Sequence, residues 1–249
     1  GGAVSLSNND CNEMHKFYKE RYGKDNFKQQ KSNPKTLREP MNGFTHFIGI
    51  LLSIAALVVL VTFAGMEGKV RHIVSFSLYG TSLILLYLFS TLYHWLPLTE
   101  RGIKKMRKVD HMMIFIPIAG SYTPICLVPL KGAWGWSVFG VIWGFAISGF
   151  FLKLFWMNMP RVLYVSIYIV MGWIALIVVY PLSKVFANGG LWWLFIGGVI
   201  YTLGAIIYVK KKPNPFPNFF GFHEIWHIFV MLGSAAHFWM MLKYVLPMP

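Results

Sequence analysis

Residues 42 to 64 read NGFTHFIGILLSIAALVVLVTFA, a run with no Asp, Glu, Lys or Arg. As a helix rising 1.5 Å per residue, a run of this length crosses the roughly 30 Å hydrocarbon core of a bilayer. Six more runs follow, at 73 to 94, 111 to 130, 133 to 152, 162 to 182, 189 to 209 and 223 to 242, and Glu224 is the single charged residue among them. A chain of 249 residues that is 56% apolar, 17% aromatic and 13% charged does not have the composition of a soluble surface. Seven such runs without a polar stripe also argue against a soluble helical core. The reading is an all-α integral membrane protein, a seven-transmembrane-helix bundle over 39 to 249, preceded by a polar, basic segment over 1 to 38. Gly1-Gly2 in that segment reads as an expression remnant. The first run follows a long basic tail and is too long for a signal-peptide core, which predicts an uncleaved span and a multi-pass protein of the plasma (cell) membrane.

Basic residues set the expected orientation. Lys16, Lys19, Arg21, Lys24, Lys28, Lys31, Lys35 and Arg38 precede the first run; Arg101, Lys104, Lys105, Arg107 and Lys108 follow the second; Lys153 and Arg161 flank the fourth loop, and Lys210, Lys211 and Lys212 the sixth. These are 18 of the 23 Lys/Arg; Lys69, Arg71, Lys131, Lys184 and Lys243 fall on the other side. The positive-inside rule then predicts a cytoplasmic N-terminus and an extracellular C-terminus. Net charge of +14 confined to short loops suits an anionic leaflet. It does not point to nucleic acid, for which no binding module is visible. Cys11 and Cys126 are too few for a disulfide framework or a Cys-based metal site, and the topology puts them on opposite sides as free thiols.

Polar residues inside membrane runs are expensive and mark function. His223 and His227 stand four apart at the start of the last run, one above the other on a helix, where both imidazoles can reach one ion. Ser90 and His94 repeat that spacing at the end of the second run. Asp110 and His111 open the third, with Asp110 also suited to cap a helix. By the span count, His94, Asp110, His223 and His227 lie at one depth, in the cytoplasmic leaflet. Three histidines and a place for water are the ligand set of a catalytic zinc rather than a closed structural one, although iron, nickel or copper would also accept imidazole. Water on zinc ionises near pH 7.

Two carboxylates compete as the base. His223-Glu224-xx-His227 spells HExxH, whose glutamate is the base of zinc proteases; Glu224 equally suits the start of a helix. Asp110 is preferred, with Ser90 holding the water or a substrate carbonyl. His111, about 100° round the helix from Asp110, is the least favoured further ligand. His46 is expected to bond to a neighbour in the bundle, and His237, roughly 21 Å along the helix from His223, to be a hydrogen-bonded core residue. Pro117 and Pro124 predict a kinked third helix, the glycines Gly140-xxx-Gly144, Gly197-Gly198 and Gly204 predict close helix approach, and the prolines after Lys212 exclude a helix there.

Taken together, Glu39-xx-Asn42 with Thr45-His46, Ser90-xxx-His94, Asp110-His111, the stretch Ala119 to Pro124 and His223-xxx-His227 resemble the hemolysin III family, the bacterial branch of the progestin and adipoQ receptor superfamily. The resemblance covers 39 to 246. It implies seven transmembrane helices with the N-terminus inside, zinc on His94, His223 and His227, Asp110 reaching it through water, and a site design similar to alkaline ceramidases. The expected function is zinc-dependent hydrolysis of a membrane-lipid amide. The alternatives are a non-enzymatic sensor or stress regulator with structural zinc, and a cytolytic pore. A membrane lipid as substrate, the bilayer and a homo-oligomer are the partners considered.

Overall fold

The computed structural model describes residues 37 to 156, 159 to 216 and 219 to 249. The basic segment over 1 to 38, with Cys11, lies outside them except for Leu37 and Arg38. Among the described residues, seven helices are long and apolar enough to cross a bilayer: α1 (Pro40–Met66), α2 (Val70–Trp95), α3 (Glu100–Leu130), α4 (Gly132–Phe155), α5 (Arg161–Ser183), α6 (Asn188–Lys210) and α7 (Phe222–Val245). The protein is a multi-pass membrane protein. Leu51, Leu52, Val58, Phe145, Phe151 and Ile177 stand exposed on its outer surface, costly in water and well solvated by acyl chains.

Local chemistry sets the helix limits. Pro40 occupies the first turn of α1, where a missing N–H costs nothing. α3 begins at Glu100 and not at Asp110, because the Thr99 hydroxyl accepts the Gly102 N–H at 3.3 Å and Glu100 complements the helix dipole. The basic residues 101 to 108, expected in a loop, therefore lie on a helical extension, and Asp110 is interior to the helix rather than its cap. The helical pattern of α3 lapses at Ile114, three residues before Pro117, whose ring removes the bond to the Met113 carbonyl. α3 ends in a wide π turn over Cys126–Leu130 around Pro129. Lys211, left-handed at φ 54°, ends α6, and the stretch from Lys212 to Phe216 is non-helical, as its prolines require.

Two polar knots fasten the helices. The Ser234 hydroxyl of α7 meets the hydroxyls of Tyr87 on α2 (2.7 Å) and Tyr201 on α6 (2.8 Å), and Tyr79 donates to the Ser234 carbonyl at 3.2 Å. Such bonds hold helices together in a solvent that offers no hydrophobic drive between them. The second knot is Tyr122, in the middle of the Ala119 to Pro124 stretch. Its hydroxyl inserts into α5, donating toward the carbonyls of Gly172 (2.6 Å) and Met171 (3.0 Å) and accepting the Ala175 N–H at 2.7 Å. That insertion coincides with the break in α5 at Ile174.

Close helix approach occurs at some of the expected glycines. A Cβ on Gly197 would stand 2.3 Å from the His237 ring, and one on Gly204 2.6 Å from the Phe229 Cβ. Gly140 and Gly144 contact nothing within 4 Å of such a Cβ, so the Gly-xxx-Gly spacing of α4 is not a packing seam among the described residues. The difference is measurable in detergent-purified protein. Gly197→Leu is expected to lower stability by about 1 to 3 kcal/mol through overpacking. Gly140→Leu is expected to be neutral or slightly stabilising, because it replaces a poor helix former on an open face.

Candidate metal centre

The segment before α1 lies across the end of α2. Arg38 donates to the Tyr93 carbonyl and stacks over the Tyr93 ring at 4.5 Å, and the Glu39 N–H donates to the His94 carbonyl at 3.0 Å. The Glu39 carboxylate is thereby buried against His94 Nδ1 at 2.5 Å, with Asn42 Nδ2 donating to the same oxygen at 3.1 Å. A carboxylate accepts, so Nδ1 of His94 carries the hydrogen and Nε2 carries the lone pair. That Nε2 is buried and has no hydrogen-bond partner among the described residues.

His227 is oriented in the same way from α1. Its Nδ1 lies 3.2 Å from the Asn42 carbonyl and 3.0 Å from the Thr45 hydroxyl, which is itself committed to that carbonyl at 2.8 Å. Both partners accept from Nδ1, which leaves the lone pair of His227 on Nε2. His223, half-buried and one turn earlier on α7, completes the group. Ring centres are 4.6 Å apart for His223 and His227, and 5.0 Å for His94 with each of them. One ligand atom from each of the three lies within 4.8 Å of the others, and the group could hold a metal ion. In His94 and His227, both buried, the lone pair stands on Nε2, that of His94 without a partner among the described residues, and such imidazole nitrogens are the donors a borderline cation such as zinc takes.

The other site residues fall as follows. Asp110 is buried on α3 close to His94 and Glu39, with the Ser90 hydroxyl toward its carboxylate. Glu224 accepts the Gly221 N–H at 2.8 Å, closing the first turn of its own helix. His46, expected to bond to a neighbour, does not: both ring nitrogens lack a hydrogen-bond partner among the described residues. The ring stacks instead on His227, with centres 3.5 Å apart, and meets Tyr87 edge-on. Stacked on His227, it also lines the cavity at this cluster. His111 stands outside the cluster, with Nε2 3.4 Å from the Tyr208 hydroxyl. His237 bonds to the Leu194 carbonyl at 3.4 Å, as expected of a core histidine.

A cavity of about 490 Å³ runs from this cluster up the bundle, lined mainly by apolar side chains, with His46, Ser90, Asp110, His223 and His227 at its polar end. Its far wall includes Leu176 and Val179 of α5 and Trp192 and Phe195 of α6, which are also exposed on the outer surface. Those side chains of α5 and α6 thus separate the cavity from the outer surface.

The pattern of the family described as haemolysin-III related matches residues 35–238. The chain belongs to that family. It is 42% identical over 216 residues to the hemolysin-3 homolog of Bacillus subtilis (strain 168), covering 86% of this chain and 98% of that protein. Identity to hemolysin-3 of Bacillus cereus is 40% over 211 residues, covering 84% and 92%. The human monocyte to macrophage differentiation factor is 28% identical over 180 residues, covering 69% and 71%. Glu39-xx-Asn42 with Thr45, quoted above for the resemblance to this family, supplies the groups that orient His94 and His227. That role escaped the sequence reading, because nothing in the spacing pairs Glu39 with a residue 55 positions away. Removing the carboxylate charge in Glu39→Gln is expected to weaken metal affinity by about 10- to 100-fold, read by chelator competition. His94→Ala is expected to leave the purified protein without stoichiometric metal in elemental analysis.

Proposed function

We propose that this haemolysin-III-related protein is a zinc-dependent hydrolase of a membrane-lipid amide, similar in design to ceramidases. The observation that carries the reading is the three-histidine cluster with a buried carboxylate beside it, at the polar end of an apolar cavity whose far wall includes residues exposed on the outer surface. A volume of about 490 Å³ lies within the range of small-molecule sites. Entry between α5 and α6, whose Leu176, Val179, Trp192 and Phe195 line the cavity and are exposed outside, would suit a substrate that arrives through the bilayer. The N-terminus is assigned to the cytoplasm from the distribution of basic residues, which places the cluster in the inner leaflet of the cell membrane.

Held by His94, His223 and His227, zinc would supply a Lewis acid and lower the pKa of water to about 7. Asp110 takes the proton from the attacking water and returns it to the leaving amine as the C–N bond breaks, releasing a fatty acid and an amine. Ser90, on the same face as His94, holds the carboxylate or the substrate carbonyl in place. Glu224 is the weaker candidate for the base, since its carboxylate already closes a helix turn. The α1 groups that orient His94 and His227 also support a second reading, in which the metal braces α1, α2 and α7 in a protein that senses rather than cleaves.

Mass spectrometry of fatty acid released from N-acyl lipids by the reconstituted protein separates the two readings. Hydrolysis predicts release by wild type, none by His94→Ala, and a loss of about 100-fold or more in Asp110→Asn with its metal retained. Metal-loaded wild type that releases nothing from any lipid of the panel would overturn the hydrolase reading in favour of the brace.

A further inference from the structure

Lys153, near the end of α4, is only 6% exposed. Its ammonium lies 4.1 Å from the centre of the Tyr164 ring, and no hydrogen bond or ion pair to it occurs among the described residues. Its charged neighbours are Arg107 and Lys108, both cations. Arg161, in the first turn of α5, lies over the Tyr208 ring at 4.7 Å and donates to the Tyr208 carbonyl at 3.3 Å, and it too has no acidic partner among those residues. The two tyrosines under these cations join hydroxyl to hydroxyl at 3.0 Å. Tyr164, Tyr208 and His111 also line the cavity, which neither Lys153 nor Arg161 does.

Buried charges in proteins are paired, because an ammonium taken from water recovers its hydration only from an anion or a set of acceptors. A tyrosine face recovers part of it. Neighbouring cations make the balance worse, and the start of α5 adds the positive end of a helix dipole. Among the described residues, no negative group neighbours Lys153 or Arg161 in this stretch of the bundle. The stretch lies at the loop end where most of the basic residues gather, the level of lipid headgroups, and basic recesses between helices at that level bind anionic headgroups.

We propose that Lys153, Arg161 and Arg107 form a binding site for the phosphate of an anionic phospholipid headgroup, reached from the leaflet between α3, α4 and α5. The site is separate from the metal cluster and depends on neither zinc nor hydrolysis. Lys153 is the buried anchor, and Arg161 offers the guanidinium N–H groups not used by the Tyr208 carbonyl, a geometry suited to phosphate oxygens. Arg107, exposed at the rim, contributes attraction rather than a fixed contact.

Native mass spectrometry of the detergent-purified full chain, titrated with phosphatidylglycerol, phosphatidylethanolamine or inorganic phosphate, tests the site. Wild type is expected to retain phosphatidylglycerol in preference to phosphatidylethanolamine. Lys153→Met and Arg161→Gln are each expected to weaken that retention by about tenfold, while Lys105→Gln, an exposed change on α3, leaves it unaltered. Should Lys153→Met fail to fold, Lys153→Arg, which keeps the charge and is expected to keep the lipid, and Arg161→Gln decide the matter. Equal retention of the two lipids, or undiminished retention in the folded Arg161→Gln variant, would overturn the proposal. Displacement of the lipid by millimolar inorganic phosphate would overturn the assignment of the anion to a lipid.

Discussion

The contact between the Glu39 carboxylate and Nδ1 of His94 fixes more of this molecule than any other single interaction. It settles which nitrogen of His94 carries a hydrogen, and so which one is left with a lone pair beside His223 and His227. The same short segment aligns α1 so that Asn42 and Thr45 do for His227 what Glu39 does for His94. Two imidazoles on two different helices are aimed by a third helix that contributes no member of the triad. In a solvent without water, a ring is held only by bonds the protein itself supplies, and here they come from three residues at the start of α1: Glu39, Asn42 and Thr45.

The bilayer explains the division of the structure into an outside and an inside of opposite kinds. Outward positions are mostly apolar, with Thr62, Thr81 and Ser148 among the exceptions, and interior polar groups gather at points that include Ser234 among three tyrosines, Tyr122 within α5, and the histidines with Asp110. The first two are closed knots in which each hydroxyl meets a partner. The histidine cluster keeps unspent capacity, in Nε2 of His94 and in both nitrogens of His46.

Fold and triad were legible because both follow from strong, short-range rules. A run without charges is a span, and an odd or even number of spans decides which polar residues share a depth; that parity alone brought His94, Asp110, His223 and His227 together. Legibility failed where the deciding partner was remote or the local signal ambiguous. Asp110 reads as a cap only until Thr99 is seen to start α3 earlier. Gly140 and Gly144 have the spacing of a seam, yet spacing does not say which face a helix turns to its neighbours. His46 obeyed the rule that membrane histidines face inward and broke the rule that they bond there, because its ring is occupied by stacking rather than by its nitrogens. The link between Glu39 and His94 is an encounter between segments that no periodicity connects.

Glu224 shows how far a sequence string can part from the device it names. In HExxH two histidines and a glutamate are written as one unit, and a pattern scan would file this chain with the peptidases. On α7 the histidines keep their half of the bargain, while the glutamate folds back onto the backbone that precedes it. The letters here give two imidazoles one helical turn apart and an acid that accepts the Gly221 N–H. Any chain that needs two imidazoles one helical turn apart at the very start of a helix, and an acid to close that first turn, will arrive at the same spelling by a route that has nothing to do with proteolysis.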